Sequence, residues 1–256
     1  MDDSPLAREA PPDAFGRTAR EYELGRPEWP EELLDRVVAA LDLGHEAAVL
    51  DLGAGTGKLT RLLVPRFERV VAVEPDDAMR EVLVEVVPGA ESRAGSAEAI
   101  PCADDEVDAA FSGEAFHWFA SRETVAELER VLRPGGALAI FWNIFLEAES
   151  QLDDAAEAVL EEAVARGGTP GLQRVLSGKW REPLAGSRFG ELREDEQVRD
   201  VVRDRESWIA NMLSVSSIAH QPEQDRAELA ERLRELVPPG EVRRRYRTVA
   251  HWTRLD

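Results

Sequence analysis

Short apolar runs alternate with amphipathic segments through the first half of the chain. Predominantly apolar runs lie at residues 47–52, 70–73, 107–111 and 137–142, and a weaker candidate lies at 91–94. Strands that are buried on both faces have this composition, whereas half-exposed strands alternate apolar and polar residues. The pattern therefore predicts four buried strands and a fifth, weaker one.

Helical segments separate these strands. Apolar residues at helical spacing predict helices at residues 31–41 and 58–64, from 76 to about 87, and from 121 or 122 to 132. Asp76 is a suitable N-cap, and the Pro-Gly-Gly sequence after the last of these helices stops it. Alternating strands and helices indicate an α/β fold in which helices cover both faces of a parallel sheet.

The pattern changes after residue 142. The elements predicted there are a helix at 152–165, a loop-rich region at 167–190, a strand at 197–202, helices at 207–217 and 225–236, and a strand at 245–255. Repeats and low-complexity linkers are absent from the sequence. We therefore expect one domain at residues 31–256, preceded by an N-terminal segment at 1–30 whose first 14 residues form a tail.

Composition and charge exclude several classes of partner. The chain is 43% hydrophobic, which is enough for a core, and its net charge of −20 argues against a nucleic-acid partner and weakly against an anionic membrane. No apolar run approaches the ~20 residues of a membrane span. Cys102 is the one cysteine, so no disulfide framework is expected. The N-terminus lacks the features of a signal peptide, and a soluble cytoplasmic protein is expected.

A glycine-rich turn follows the first predicted strand. Gly53, Gly55 and Gly57 alternate directly after Asp51 and Leu52. Glycine allows a tight turn and a close approach to a ligand, and parallel α/β sheets bind ligands at the carboxyl ends of their strands. A tight turn without a ligand is the simpler alternative, but three alternating glycines exceed what a turn needs.

The spacing of the glycines indicates the class of ligand. A dinucleotide-binding fold has the pattern G-x-G-x-x-G, with the pyrophosphate at a helix N-terminus. Here Gly57 comes one place early, and Lys58 stands where a small residue is expected. The pattern G-x-G-x-G after an acidic residue instead resembles the class I S-adenosylmethionine-dependent methyltransferases.

Further motifs carry the same resemblance. Glu74 ends the second strand and matches the acidic residue that holds both ribose hydroxyls in this family; a carboxylate can accept both hydrogen bonds. Residues 132–136, Leu-Arg-Pro-Gly-Gly, are also typical of the family. The resemblance implies a doubly wound, seven-stranded, mostly parallel sheet with the strand order 3-2-1-4-5-7-6 and an antiparallel last strand.

The resemblance also implies the residues that bind the cofactor, S-adenosylmethionine. Met79 packs against adenine in the family, although it fits an ordinary helix core equally well. Residues 95–101 resemble the adenine-edge loop, with Ser96 where members often carry Asp, so that Ala97 or Glu98 could take over its contact. The implied cofactor-binding residues are Tyr22, Arg26, Asp51, Gly53, Gly55, Gly57, Glu74, Pro75, Met79, Ser96, Ala97, Glu98 and Ser112.

Two motifs narrow the resemblance to a subgroup. Residues 114–119, Glu-Ala-Phe-His-Trp-Phe, resemble the A-x-H-W motif of small-molecule methyltransferases in the ubiquinone-biosynthesis and trans-aconitate methyltransferase groups. Residues 22–30 match their Y-x-x-x-R-P-x-Y-P element, with Trp29 for the second Tyr. In relatives this element folds over the cofactor. We therefore expect residues 15–30 to act as a lid, mobile without ligand. The specific motifs cover about residues 15–143, and residues 144–256 are expected to add substrate-side helices and the last two strands.

The predicted substrate pocket combines the lid, the A-x-H-W motif and a late helix. Its predicted substrate-binding residues are Trp29, Trp118, Trp208, Asn211 and Met212. His117 is the candidate catalytic residue, because imidazole can accept a proton from a hydroxyl near neutral pH; the alternative is a wall residue. Methyl transfer from a sulfonium needs no metal, and none is expected.

Three other groups have ordinary explanations. Cys102 fits a small apolar core position better than a nucleophile. The acidic residues 104–106 fit a solvated loop better than a metal site, and residues 243–245, Arg-Arg-Arg, fit a solvated basic loop better than an anion site.

The expected function is transfer of a methyl group from S-adenosylmethionine to a small molecule by direct displacement. A relative that retains the cofactor structurally, for example to organise a cyclisation, and a regulatory protein that only binds it are the alternatives.

Overall fold

The computed structural model describes residues 19–146, 154–167 and 171–256. The predicted tail and the first residues of the predicted lid, 15–18, lie outside them. Within these ranges the strands are β1 Ala48–Leu52, β2 Arg69–Glu74, β3 Glu91–Ala94, β4 Val107–Gly113, β5 Leu132–Phe145, β6 Arg193–Asp204 and β7 Glu241–Arg254. The helices are α1 Ala19–Gly25, α2 Glu31–Ala40, α3 Thr60–Leu63, α4 Asp77–Val86, α5 Phe116–Phe119, α6 Arg122–Val131, α7 Asp154–Arg166, α8 Gly171–Leu176, α9 Arg205–Leu213, α10 Ser216–Ala219 and α11 Glu223–Leu236.

The seven strands form one sheet in the order β3-β2-β1-β4-β5-β7-β6. β1 pairs in parallel with β2 and β4, and β7 is antiparallel to both of its neighbours, β5 and β6. The order reverses between β1 and β4, which places a topological switch point at the carboxyl ends of these two strands. The strand order and the antiparallel β7 confirm the predicted fold class.

Both faces of the central strands are buried. Along β1, Leu50 belongs to the core that also contains Leu128 of α6, whereas Val49 belongs to the core that also contains Leu33 of α2. Both cores are apolar, so every position of β1 is shielded from water. This double burial explains why the central strands could be identified from apolar runs.

Most of the early elements lie close to their predicted positions, but β5 begins at Leu132 rather than at 137 and ends at Phe145 rather than at 142. β3 has the predicted bounds, and α4 begins after Asp76, whose side chain accepts a hydrogen bond from the Met79 backbone nitrogen at 2.9 Å. Ser121 caps α6 in the same way through the Thr124 backbone nitrogen, at 3.1 Å.

The later elements differ more from the prediction. The region predicted as loop-rich contains α8 and a 3₁₀ helix at Lys179–Leu184, each too short for a helical period to be recognised. The predicted helix at 207–217 is broken at Ser214 into α9 and α10. β6 has 12 residues rather than six, because its charged and partly buried positions hide the ends of the strand.

The prediction of a solvated basic loop at 243–245 was wrong, because these residues lie within β7. Arg243 and Arg245 form ion pairs with Asp200 of β6 at 3.3 and 3.5 Å. Arg244 points to the other face and is 5% exposed, with its guanidinium carbon 4.2 Å from the centre of the Phe145 ring.

Cys102 lies in an apolar core, and Glu106, one of the acidic residues 104–106, pairs with arginines. Cys102 is buried in the apolar core that also contains Val107. Glu106 accepts hydrogen bonds from Arg69 and Arg93, at 2.5 and 3.0 Å. Along the described stretches, no helix combines the length and the apolar character needed to cross a bilayer.

α1 docks against α9 through a close backbone contact. A Cβ on Gly25 would lie 2.2 Å from the backbone nitrogen of Asn211, so that only glycine fits there without a shift. Arg203 of β6 donates to the backbone oxygens of Leu24 and Arg26, at 2.9 and 2.7 Å. The segment predicted as a lid is therefore held by the late part of the chain.

We expect Gly25→Ala to loosen α1 from α9, because the added Cβ would overlap the Asn211 backbone. Hydrogen exchange at residues 19–30 should become about tenfold faster or more, which corresponds to ~1.4 kcal/mol of docking free energy. Amides of the sheet should keep their protection. Leu24→Ala, at a side chain that is 55% exposed, is the matched control. Unchanged exchange at residues 19–30 in Gly25→Ala would contradict this contact.

Candidate functional site

A cavity of about 760 Å³ lies at the carboxyl ends of β1, β2 and β4. Ligands of parallel α/β sheets bind in this place, next to the switch point. The structure brings most of the predicted site residues to its walls. These are Tyr22, Arg26, Trp29, Gly53, Gly55, Glu74, Pro75, Met79, Ser96, Ala97, Glu98, His117, Trp118, Asn211 and Met212.

Three of the predicted cofactor-binding residues lie behind the cavity wall. Asp51 is fully buried and accepts a hydrogen bond from the Thr60 hydroxyl at 2.6 Å; burial, with help from the nearby Glu74 carboxylate, raises the pKa of Asp51 to about 7. Gly57 has a positive φ of 88°, and a Cβ there would lie 2.9 Å from the Val87 side chain. Ser112 is fully buried at the end of β4. These three residues pack behind the glycine turn and do not line the cavity.

Trp208 does not line the cavity. It is 1% exposed and packs with Leu160 and Leu229, in the apolar cluster that α7, α9 and α11 form. Asn211 and Met212 lie one turn further along α9 and do reach the cavity. All three belong to the predicted late helix, but α7 and α11 cover Trp208.

Glu74 is fixed at the end of β2 by two backbone amides. Its Oε2 accepts from the Gly55 nitrogen at 2.9 Å, and its Oε1 accepts from the Asp76 nitrogen at 3.0 Å. The residue is 8% exposed, and this burial is the main cause that raises the pKa of its carboxyl. A carboxylate has about four acceptor positions, so two remain for a diol in the cavity.

Apolar residues form the neighbouring wall. Met79 is 2% exposed and packs with Ala19 and Val82, so it belongs both to a small core and to the cavity wall. The turn that contains Ser96 also lines the cavity, and a bridge joins Ser96 to Ala99. An apolar wall of this kind can pack against the face of a flat ring.

The lid is tied to the glycine turn by ion pairs that the sequence did not reveal. Glu23 accepts a hydrogen bond from the Thr56 hydroxyl at 2.7 Å and one from Arg61. The Lys58 ammonium lies 2.5 Å from Glu28 and 3.6 Å from Glu23. In the sequence, Lys58 was evidence against a dinucleotide-binding fold. Its charge is opposite to that of the lid glutamates, and this was the feature of the sequence from which the contact could have been predicted.

Tyr22 and Arg26 form the cavity side of the lid. The guanidinium carbon of Arg26 lies 5.2 Å from the centre of the Tyr22 ring, and an Arg26 nitrogen donates to the Ser214 backbone oxygen at 2.9 Å. Burial raises the pKa of Tyr22 to about 12, so its phenol is neutral. Arg26 thus bridges the lid to the end of α9.

One of the two ring nitrogens of His117 already accepts a hydrogen bond. The indole nitrogen of Trp142, which is always a donor, lies 3.0 Å from His117 Nδ1. Burial, with the positive charges of Arg174 and Arg26, lowers the pKa of His117 to about 3. The neutral ring therefore carries its proton on Nε2. The predicted role of His117 as a proton acceptor does not fit, because its one lone pair is already engaged.

Glu114 lines the cavity, although it is not among the site residues that the sequence predicts. It directly follows β4 and has a positive φ of 58°, which is uncommon for a residue other than glycine. Its Oε1 accepts from the Asn143 backbone nitrogen at 2.7 Å, and burial raises the pKa of its carboxyl. Glu114 directly precedes the A-x-H-W motif, and this was the feature of the sequence from which it could have been predicted as a site residue.

Metal ligands do not cluster in the parts of the chain that the structure describes. In residues 19–146, 154–167 and 171–256, no group of three or more His, Cys, Asp or Glu side chains could hold an ion.

We expect ¹⁵N NMR to find His117 protonated on Nε2 and unprotonated on Nδ1 between about pH 5 and 8. Trp142→Phe removes the indole donor, so both tautomers and a higher pKa should follow. The His117 imidazole takes up a second proton near pH 6.5 in the unfolded chain but only near pH 3 in the folded chain. The free energy of unfolding should therefore decrease as the pH falls from 6.5 to 3. A proton on Nδ1, or titration near 6.5, would overturn the assignment.

Known proteins share sequence with this chain. Residues 50–140 match the Methyltransferase domain family. An uncharacterized methyltransferase of Mycobacterium tuberculosis (strain ATCC 25618 / H37Rv) is 41% identical over 162 residues, and this similarity spans 63% of each protein. An uncharacterized methyltransferase of Schizosaccharomyces pombe (strain 972 / ATCC 24843) is 32% identical over 228 residues, which cover 87% of this chain and 88% of that relative.

A solved structure shares the fold. A candidate type II methyltransferase from Anaeromyxobacter dehalogenans superposes with a TM-score of 0.65 at 25% identity, over 90% of this chain and 97% of that one. The yeast relative is matched over most of its length, and the sheet has the strand order that the resemblance implied. The chain therefore belongs to the class I methyltransferase family.

Proposed function

We propose that this chain transfers a methyl group from S-adenosylmethionine to a small-molecule acceptor by direct displacement. The observation that carries the proposal is Glu74, whose carboxylate is held at a strand end by the Gly55 and Asp76 amides and still has acceptor positions toward the cavity. These are the requirements for binding a ribose diol at the switch point of this fold.

The residues around Glu74 fit the rest of the cofactor. Met79 and Ala97 offer apolar surfaces for adenine, and Ser96 and Glu98 line the edge of the same region. The positive φ of Gly55, 56°, favours glycine, and because glycine has no side chain, a ligand can approach the backbone there. When bound, S-adenosylmethionine supplies a methyl group on a sulfonium, which an aligned nucleophile can take without a metal.

The other end of the cavity suits a small acceptor. Apolar side chains from several elements line it, and Asn211 and Tyr246 add polar positions, joined by a hydrogen bond of 3.0 Å. The apolar side chains are Trp118, Trp142, Phe145, Leu160, Leu172 and Met212. Such a wall favours a molecule with an apolar body. The net charge of −20 supports the proposal that nucleic acid is not the acceptor.

The lid forms a wall of both halves of the cavity. Tyr22 stands beside the glycine turn, 4.0 Å from the place of a Cβ on Gly55, and Trp29 packs against the end of β4. We propose that closure of the lid excludes water and aligns the acceptor with the methyl group.

We expect Glu74→Ala to weaken S-adenosylmethionine binding by about 1–3 kcal/mol, or roughly 5- to 150-fold, because the ribose hydroxyls lose their acceptor. Glu74→Gln keeps one acceptor oxygen and should lose less. Isothermal titration calorimetry measures both, with Glu123→Ala on the exposed face of α6 as control. Unchanged affinity in Glu74→Ala, or tight binding of NAD by the wild type, would refute the cofactor assignment.

We expect labelled methyl transfer from S-adenosylmethionine to at least one member of a small-molecule panel of phenols, enols, carboxylic acids and amines. RNA and duplex DNA serve as negative controls in the same assay. Cofactor binding without transfer to any of these classes would instead favour a protein that retains the cofactor for another purpose. Transfer to nucleic acid would contradict the proposed acceptor class.

A further inference from the structure

The conformation of Glu114 is one that the backbone does not favour for glutamate. Its φ of 58° is left-handed, a region that suits Gly, Asn or Asp, and its nitrogen donates to the Phe141 oxygen at 2.9 Å to hold it there. Strained residues of this kind occur where a side chain must be presented at a functional site. At this position the strain aims a carboxylate into the cavity.

One oxygen of that carboxylate is fixed and the other is open. The Asn143 amide occupies Oε1 at 2.7 Å, and Asn143 is itself held, because its side-chain oxygen accepts from the Thr248 hydroxyl at 2.6 Å. Oε2 makes no hydrogen bond within the described residues and is not enclosed by them. The carboxylate thus has a defined orientation and one oxygen that is free to accept a hydrogen bond.

Glu114 also lies between the two halves of the cavity. A Cβ on Gly53 would lie 2.7 Å from the Ala115 side chain, so the segment that carries Glu114 packs directly against the glycine turn. Three residues later, His117 and then Trp118 line the acceptor side. A group at Glu114 therefore faces the place where the cofactor and the acceptor would meet.

The surrounding charges leave Glu114 as the available base. His117 has no free lone pair, as its hydrogen bond from Trp142 shows. Tyr22 is a neutral phenol, and Arg26 is the cation whose charge opposes the effect of burial on Glu114. Burial still raises the pKa of the Glu114 carboxyl, which makes it a stronger base than an exposed glutamate.

We propose that Glu114 accepts the proton of the acceptor during methyl transfer, and that the acceptor is an apolar small molecule with a weakly acidic hydroxyl group, such as a phenol or an enol. This inference rests on the proposed function. The hydroxyl oxygen forms a bond to the methyl carbon, the carbon–sulfur bond breaks with its electron pair on sulfur, and the proton passes to Oε2. Water then takes the proton from Glu114.

Glu114→Gln is the decisive variant, because its amide oxygen can still accept from the Asn143 nitrogen. With a hydroxyl acceptor from the panel, we expect single-turnover methyl transfer to fall by about 10²–10⁴-fold at pH 7 and to recover partly as pH rises. Across substituted phenols, the loss should be smallest for those already ionised. Affinity for S-adenosylhomocysteine should stay within about twofold of the wild type by calorimetry, and Glu123→Gln is the matched control.

Three outcomes would overturn the inference. The first is transfer within about tenfold of wild type in Glu114→Gln. The second is a loss of S-adenosylhomocysteine affinity that accounts for the lost rate, since Glu114 would then bind the cofactor's ammonium group. The third is a panel acceptor that carries no hydroxyl.

A second measurement needs no acceptor. In the complex with S-adenosylhomocysteine, ¹³C NMR of labelled glutamate should find the pKa of the Glu114 carboxyl above the ordinary glutamate range, with Glu114→Gln assigning its signal. A pKa at or below that range overturns the inference even where no acceptor has been found. Absence of any acceptor counts against the proposed function, so the two failures are distinguishable.

Discussion

The central strands are buried on both faces, and this constraint determines where the site lies. Val49 and Leu50, neighbours on β1, belong to two different cores. Helices must cover both of these faces, and each crossover through a helix returns the chain in a parallel direction. The carboxyl ends of β1, β2 and β4 therefore meet at one edge of the sheet. Glu74 ends β2 and Glu114 follows β4, so the fold brings these two residues to the same cavity although they lie far apart in sequence.

The lid couples the two halves of this cavity. On the cofactor side, Glu23 and Glu28 pair with Lys58 next to the glycine turn. On the acceptor side, Gly25 packs against the backbone of α9, and Arg26 donates to the last turn of that helix. Ion pairs at such partly exposed positions are weak individually. Together with the backbone contact, they tie the glycine turn and the end of α9 to the same short segment of chain.

A single hydrogen bond separates the roles of the two polar groups beside the proposed reaction centre. The indole of Trp142 donates to His117 Nδ1, and this leaves the neutral imidazole with its proton on Nε2. Burial, with the charges of Arg174 and Arg26, lowers the pKa of His117 to about 3, so the ring stays neutral. Glu114 has the opposite arrangement, because the Asn143 amide orients one carboxylate oxygen and leaves the other as an acceptor. The A-x-H-W motif drew attention to His117, yet the residue that precedes the motif has the better geometry for taking a proton.

The sequence by itself determined the fold class, the strand order through its family resemblance, and a set of residues that line the cavity at the strand ends. Apolar runs mark doubly buried strands, and Glu74 and the glycines lie at strand ends that these runs define. Tertiary structure decided the rest. The 12 residues of β6, the depth of Trp208 and the lone pair of His117 depend on partners far along the chain. Local periodicity indicates which positions are buried. It does not indicate which residue covers a buried side chain or donates a hydrogen bond to it, and that residue decides the chemistry of the side chain.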